Sequence, residues 1–466
     1  MWYHYAHFLH PLTVLRQRRY LRINKSNAFP KKVVSTSYEN RRLHPPIFKM
    51  KSTLNHATSM PVLVQSDDDD STSNHSGSQT TVESPVPSMH RAESSIMFSE
   101  IGTDDDIETA VAPHVGYKKV LVTGGAGFIG SHVAQFLLAR GDDVVIVDEM
   151  NDYYDVRIKE SNLRLIKESY PEEGRVSIYR GDICDEELME TIFEKEQPKW
   201  VCHMAARAGV RPSIQDPFVY IHSNIKGTTH LMELSHKYGV ENFVFASSSS
   251  VYGGSKSTFF SEEENVDNPV SPYAASKKAC ELLAYTYHHL YQLNITGLRF
   301  FTVYGPRGRP DMAPFKFIDR VSRGVEIQQF GDGSSSRDYT FISDIVDGVV
   351  RSIDRPHNYE VFNLGKGAGT SLKEFIGLVQ KHVGKKATIR IMPDQPGDVP
   401  YTCADVTKAY QMLGYKSKIS FEEGIRRTVE WYKDAYVKKE IEVCPETQAN
   451  GLGRAPSMVC LEMPGN

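Results

Sequence analysis

The sequence predicts an α/β fold in which helices cover both faces of a parallel sheet, and three observations predict it. The first is a short β-branched run, KKVLVT, that passes through glycines into GGAGFIGSHVAQFLLARG, where Phe128, Ile129, Val133, Phe136 and Leu137 recur at helical spacing. The second is continued alternation: DVVIVD, VSIYR, WVCHMA, NFVFASS and NITGLRF are apolar runs of strand length with amphipathic segments between them. Strands linked in that way form right-handed βαβ units and a sheet buried on both faces. The third is a change of texture at Ala313, after which short strands and helices alternate with Gly and Pro. The fold class that follows is a Rossmann-type doubly wound parallel sheet, expected at 116–310, with a smaller C-terminal α/β domain occupying mainly 311–437.

Ahead of the sheet, residues 1–115 read as an extension. Residues 1–60 hold eleven Lys/Arg against one Glu, and 61–115 hold eleven Asp/Glu against one Arg, so the two stretches cancel. The first has the composition of an organelle transit peptide, or of a disordered extension, or is an artefact of a predicted start, since Met50, Met60 and Met97 could also begin a chain. The second, with Asp67 to Asp70 and many Ser, buries too little apolar surface to offset its ordering entropy. Residues 438–466 return to tail composition. Over the whole chain, 24% charged and 40% hydrophobic residues fit an ordinary globular protein, and a net charge of −4 gives no sign of a nucleic-acid partner. No window of 18 or more nearly uninterrupted apolar residues predicts a membrane span. Six scattered cysteines lack the spacing of a zinc site and the density of a disulfide scaffold. No metal is therefore expected, and the compartment reads as reducing and cytoplasmic, with an organelle as the alternative through the basic segment.

The first strand and its turn carry a ligand signature. Gly124, Gly127 and Gly130 form G-x-x-G-x-x-G between strand and helix, where a turn without side chains lets a pyrophosphate approach the backbone and the helix N-terminus offers free N–H groups. The second strand ends in Asp148, eighteen residues after Gly130. A carboxylate there accepts hydrogen bonds from ribose hydroxyls and repels a 2′-phosphate, which favours NAD over NADP. After the third strand, Asp182 is placed either to meet the adenine or to cap the next helix in GDICDEE.

After the fifth strand comes ASSSSVYGG, and 25 residues beyond Ser248 stands Tyr273 in SPYAASKKA. Tyr273 and Lys277 are one helical turn apart and share a face. That spacing lets the Lys277 ammonium draw the Tyr273 phenol, ordinarily near a pKa of about 10, toward neutrality, where it serves as a base, with Ser248 sharing the substrate proton. Y-x-x-x-K alone is a common chance match; behind a nucleotide-binding turn and a Ser-rich strand end it becomes a catalytic pattern.

TGGAGFIG, Asp148, HMAARAGVR, ASSSSVYG, Tyr273 with Lys277, and RFFTVYGPRGRPDMA together resemble the extended short-chain dehydrogenase/reductases over roughly 117–437. Within them, NDYYDVRIK, AGVRPS and GPRGRPDMA are most similar to the UDP-glucuronate 4-epimerases. The resemblance implies a tightly held NAD, a UDP-sugar substrate bound largely by the C-terminal part, and a homodimer formed through helices after the fourth and fifth strands. It places Ser248, Tyr273 and Lys277 in the catalytic positions. It gives cofactor contacts to Gly124, Gly127, Gly130, Asp148, Asp182 and Lys277, and the expected cofactor wall adds Phe128, Ile129, Ile183, Ala205 and Tyr273.

The chemistry then separates neighbouring activities. Oxidation at C4 of a uronic acid gives a β-keto acid prone to lose CO2, so an epimerase must fix the carboxylate with charged or hydroxyl donors. Arg309 offers a planar fork, or is a surface charge in a Gly/Pro-rich loop, and Ser249, Ser250 and Thr302 are supplementary donors. Relatives that dehydrate carry Asp-Glu where this chain has Ser249 and Ser250, and relatives that decarboxylate carry Glu at the second position. Resemblance makes Arg337 a diphosphate clamp, with an ion pair to Asp338 or Asp344 as the plainer alternative. Arg211 and Asn224 are expected to face the ligand, although Asn224 equally suits backbone groups. Asp398, in QPGDVPYTCAD, is expected at the ribose or uracil. The leading expectation is a UDP-glucuronate 4-epimerase, against UDP-glucose 4-epimerase, UDP-glucuronate decarboxylase, and an NAD(H)-binding sensor, which would have lost Tyr273 or Lys277.

Overall fold

The computed structural model describes residues 107–393 and 399–437. In chain order its strands are β1 (Lys119–Thr123), β2 (Asp143–Asp148), β3 (Val176–Arg180), β4 (Trp200–His203), β5 (Asn242–Ser248), β6 (Ile295–Phe300), β7 (Thr302–Tyr304), β8 (Ile327–Phe330), β9 (Ser336–Phe341), β10 (Tyr359–Leu364), β11 (Gly369–Ser371) and β12 (Ile389–Met392). Seven form one sheet in the order β10-β6-β5-β4-β1-β2-β3, with every neighbouring pair parallel. The runs read as strands coincide with these elements to within a residue or two, VSIYR and NFVFASS to the residue. Along β1, Val120 and Val122 join the apolar cluster on one face of the sheet while Leu121 joins the cluster on the other, which is why three apolar residues stand in succession at the centre of the run.

Chain order runs outward in both directions from β1 and β4. At such a reversal, connecting segments leave to opposite faces and open a crevice at the carboxyl ends of the strands. The helix Phe128–Arg140, which leads from β1 to β2, is apolar on nearly every side because it lies between the sheet and the later helix Ile342–Asp354. Arg140 forks onto Asp354 at 2.6 and 3.0 Å and fastens the two helices end to end.

The seventh strand comes from Tyr359–Leu364, beyond the boundary expected at 310, and pairs with β6 over six residues. The C-terminal segments also form a three-stranded sheet, β11-β9-β7, and a parallel pair, β12-β8. Two buried carboxylates hold their connections. Asp338 accepts the backbone N–H groups of Lys366, Gly367 and Ala404, and Asp344 accepts those of Lys418 and Ile419 with the Ser417 hydroxyl. His203 lies in the core with Thr123 and Thr228 at its two ring nitrogens, 2.7 and 2.8 Å away. Among the described residues no helix is long and apolar enough to cross a membrane.

Candidate active site

A cavity of about 420 Å³ opens at the crevice, lined from the glycine turn at one end to Tyr273 and Arg309 at the other. Gly124 sits at φ +66°, and a Cβ on it would come within 2.8 Å of the Ala205 backbone. A Cβ on Gly130 would lie 2.2 Å from the Gly124 carbonyl oxygen, so the helix approaches its own turn as only glycine permits. Gly127 caps the helix without a side-chain hydrogen bond and the first turn carries no acidic residue, which leaves its N–H groups suited to an anion. These features fit a dinucleotide pyrophosphate.

Asp148, at the end of β2, accepts Ala126 N–H at 3.1 Å and Met150 N–H at 2.9 Å. Its carboxylate also lies 3.4 Å from the buried ammonium of Lys159, a residue given no role in the sequence reading. Lys159 tempers the repulsion of a 2′-phosphate on which the preference for NAD was argued. Asp182 does not cap a helix: Asp185 caps Glu186–Glu196 by accepting Leu188 N–H. Asp182 instead accepts Cys184 N–H at 2.9 Å and pairs with His222 at 2.8 Å. Burial pushes its carboxyl up, but these two partners outweigh it and hold the group below the usual range. Asp182, Cys184 and His222 bring potential ligand atoms within 4.8 Å of one another. Burial first, and the Asp182 charge second, push the Cys184 thiol up to about 12.

Tyr273 enters the cavity from the first turn of the helix Pro272–Tyr291, which starts with Ser271 capping Ala274 N–H and Pro272 in the first position. Ser248, at the end of β5, accepts Ser250 N–H at 3.1 Å and faces the Tyr273 phenol. Lys277 Nζ donates to the Ala246 carbonyl at 2.7 Å, because a buried ammonium needs an acceptor and the strand end provides one. Burial raises the Tyr273 phenol, with Ser248 and the Arg309 charge opposing it.

Ser249, Ser250, Thr302 and Arg309 all line the cavity beside Tyr273. The Arg309 fork, however, already holds Asp311 at 2.9 and 2.6 Å, and its guanidinium stacks over the Tyr153 ring at 5.1 Å. It is not a loop surface charge. Ile183 and Ala205 line the cavity as expected. Arg211 and Arg337 do not line it: Arg211 stacks on Phe330 at 5.1 Å, and Arg337 donates to the Ser336 carbonyl at 2.9 Å. Asn224 serves backbone groups, accepting Arg207 N–H and donating to Arg207 O. Asp398 lies outside the described residues. Among the lining residues missed in sequence, Tyr153, Tyr154, Lys159 and Arg207 stand inside the motifs NDYYDVRIK and HMAARAGVR, which was the available signal, whereas Glu149 and Met312 stand outside them.

A family model described as GDP-mannose 4,6 dehydratase matches residues 121–428. The chain is 47% identical over 315 residues to a UDP-glucuronate 4-epimerase of Thermodesulfobacterium geofontis, covering 67% of this chain and 96% of that protein. Among solved structures it is similar to the UDP-glucuronic acid 4-epimerase of Bacillus cereus in complex with UDP-glucuronic acid and NAD, with TM-score 0.63 and 35% identity over 68% of this chain and all of that one. It is also similar to a UDP-glucose 4-epimerase of Thermotoga maritima with UDP-glucose, with TM-score 0.62 and 36% identity over 68% and 99% of the two chains. A match that runs from the first strand to the last described helices, on a sheet whose crevice carries the glycine turn and the Tyr–Lys pair, means that this chain belongs to the extended short-chain dehydrogenase/reductases, in their nucleotide-sugar-modifying branch.

Proposed function

We propose that the chain is an NAD-dependent UDP-sugar 4-epimerase whose substrate pair is UDP-glucuronate and UDP-galacturonate. One observation carries the reading: Tyr273 and Ser248 share a cavity with Ser249, Ser250, Thr302 and Arg309, a base beside a set of hydroxyl and guanidinium donors for a carboxylate. The relatives and neighbours named above support it. The family model's dehydratase description fits less well, because Ser249 and Ser250 stand where that chemistry needs Asp and Glu.

Bound NAD supplies a hydride acceptor that later returns the hydride. The glycine turn and Asp148 hold its phosphates and ribose. Tyr273 takes the proton of the sugar 4-hydroxyl and gives it back, and Ser248 fixes the direction of that transfer. Lys277 lies under the strand end, where burial pushes its ammonium below the usual lysine range and the Ala246 carbonyl accepts its hydrogen bond. The three hydroxyls and Arg309 keep the substrate carboxylate from aligning its C–C bond with the C4 ketone, so the keto acid turns over before it can lose CO2.

Incubating the purified protein with UDP-glucuronate and with UDP-glucose, and resolving products by chromatography, tests this. UDP-galacturonate is the expected product. Release of CO2 with a UDP-pentose would make the chain a decarboxylase, and turnover of UDP-glucose alone would exclude the uronate reading.

A homodimer is the assembly we infer. Ile214, Phe218 and Ile221 follow the fourth strand, pack their segment on the helix Pro272–Tyr291, and leave their side chains 56%, 76% and 51% exposed, while Leu282 and Tyr285 of that helix are also exposed. An apolar face of this kind on adjoining helices suits a second copy of itself. Phe218→Glu is expected to halve the mass measured by light scattering. Among the described residues, four free, buried cysteines support a reducing, cytoplasmic compartment, which imaging of the tagged full chain checks.

A further inference from the structure

Arg207 lies in the cavity without any part in the mechanism above. It leaves the end of β4, and Glu149 leaves the end of β2; in the sheet these strands flank β1, whose carboxyl end carries the glycine turn. The Arg207 guanidinium reaches Glu149 at 3.3 and 3.4 Å, so an ion pair spans the two loops above the turn. A second tie runs parallel to it, from the Tyr153 hydroxyl to the Ala208 carbonyl at 2.7 Å.

Three features distinguish Arg207 from an ordinary surface ion pair. Its backbone is clamped on both sides by Asn224, itself 1% exposed, which also bonds Ser276 on the helix of Tyr273. Its contacts to Glu149 are long for a charge-assisted pair, which ordinarily closes to about 2.7–2.9 Å. Its Nε is buried and has no hydrogen-bond partner among the described residues, although a buried N–H donor is normally satisfied.

We propose that Arg207 is a further cofactor-binding residue, giving its Nε–H and one Nη–H to a phosphate oxygen of the dinucleotide and thereby slowing cofactor release. Glu149 holds the guanidinium from the opposite loop and is a positioning residue. The proposal rests on the reading that the cavity binds NAD. A reaction that removes and restores the same hydride has use for such a latch: cofactor lost midway strands the oxidised sugar.

The test is the rate at which NAD-loaded protein releases nucleotide into excess labelled NAD, with thermal unfolding as a check on folding. Arg207→Gln is expected to release NAD roughly ten- to hundredfold faster than wild type, the range of a charged hydrogen bond. Arg207→Lys keeps the charge without Nε and should fall between the two. The double variant Arg207→Gln/Glu149→Gln separates contact from mere neutralisation of Glu149: release that stays fast supports the contact, and full recovery of the wild-type rate overturns it. Wild-type release from Arg207→Gln also overturns the proposal. A wild-type protein that takes up no NAD overturns instead the cofactor reading on which the proposal stands.

Discussion

At the residue scale, the base and the charge beside it set the pH behaviour. Burial raises the Tyr273 phenol and the Arg309 guanidinium pulls it down. The phenolate is the active form, so its fraction and the kcat/KM it supports grow as pH climbs toward that raised value. The pH profile should therefore carry an alkaline rising limb, and Arg309→Ala should displace the limb to higher pH on either sugar. The same substitution should raise KM for UDP-glucuronate at least about tenfold and leave that for UDP-glucose nearly untouched, since only a substrate carboxylate would draw the fork away from Asp311. Tyr273→Phe should lower kcat by roughly 10²- to 10⁴-fold; a loss below tenfold would falsify the assignment of the base. Such a loss with unchanged NAD binding would place the defect in proton transfer.

At the scale of the element, the glycine helix is the sharpest constraint. The Cβ introduced by Gly130→Ala meets a carbonyl of the adjoining turn, backbone that cannot swing aside. The expected result is loss of bound NAD and a destabilisation of about 2 kcal/mol or more, read from denaturant midpoints. This element was legible in the sequence because its logic is local: strand, turn and helix are consecutive, and Tyr273 and Lys277 are fixed by one helical turn. Lys159, Arg207 and Asp311 were not, because each acquires its partner by a loop closing over distant chain or by a local fork that competes with the ligand. Arg211 and Arg337 stand at motif positions that suggest a ligand, and in this structure an aromatic ring and a strand carbonyl contact their guanidinium groups.

For the whole molecule, the sheet was legible as alternation, but its far edge was not. β10 is a short run interrupted by Glu360 and Asn363, in a region whose texture had already changed, and pairing with β6 marks it as part of the first sheet. A fragment covering 107–310 should therefore aggregate on size-exclusion chromatography, with β6 open along its outer edge and the helix Phe128–Arg140 stripped of Ile342–Asp354, whereas 107–437 should elute as a defined species. The same stitch has a consequence during synthesis. The ribosome completes β6 at Phe300 and reaches the end of its partner only at Leu364, 64 residues later. At 5–20 residues per second, the nascent chain carries an unpaired strand edge for roughly 3 to 13 s. That interval is when a holding chaperone has most to do, and slowing translation between codons 300 and 364 should cost soluble yield more than slowing it anywhere else in the folded part of the chain.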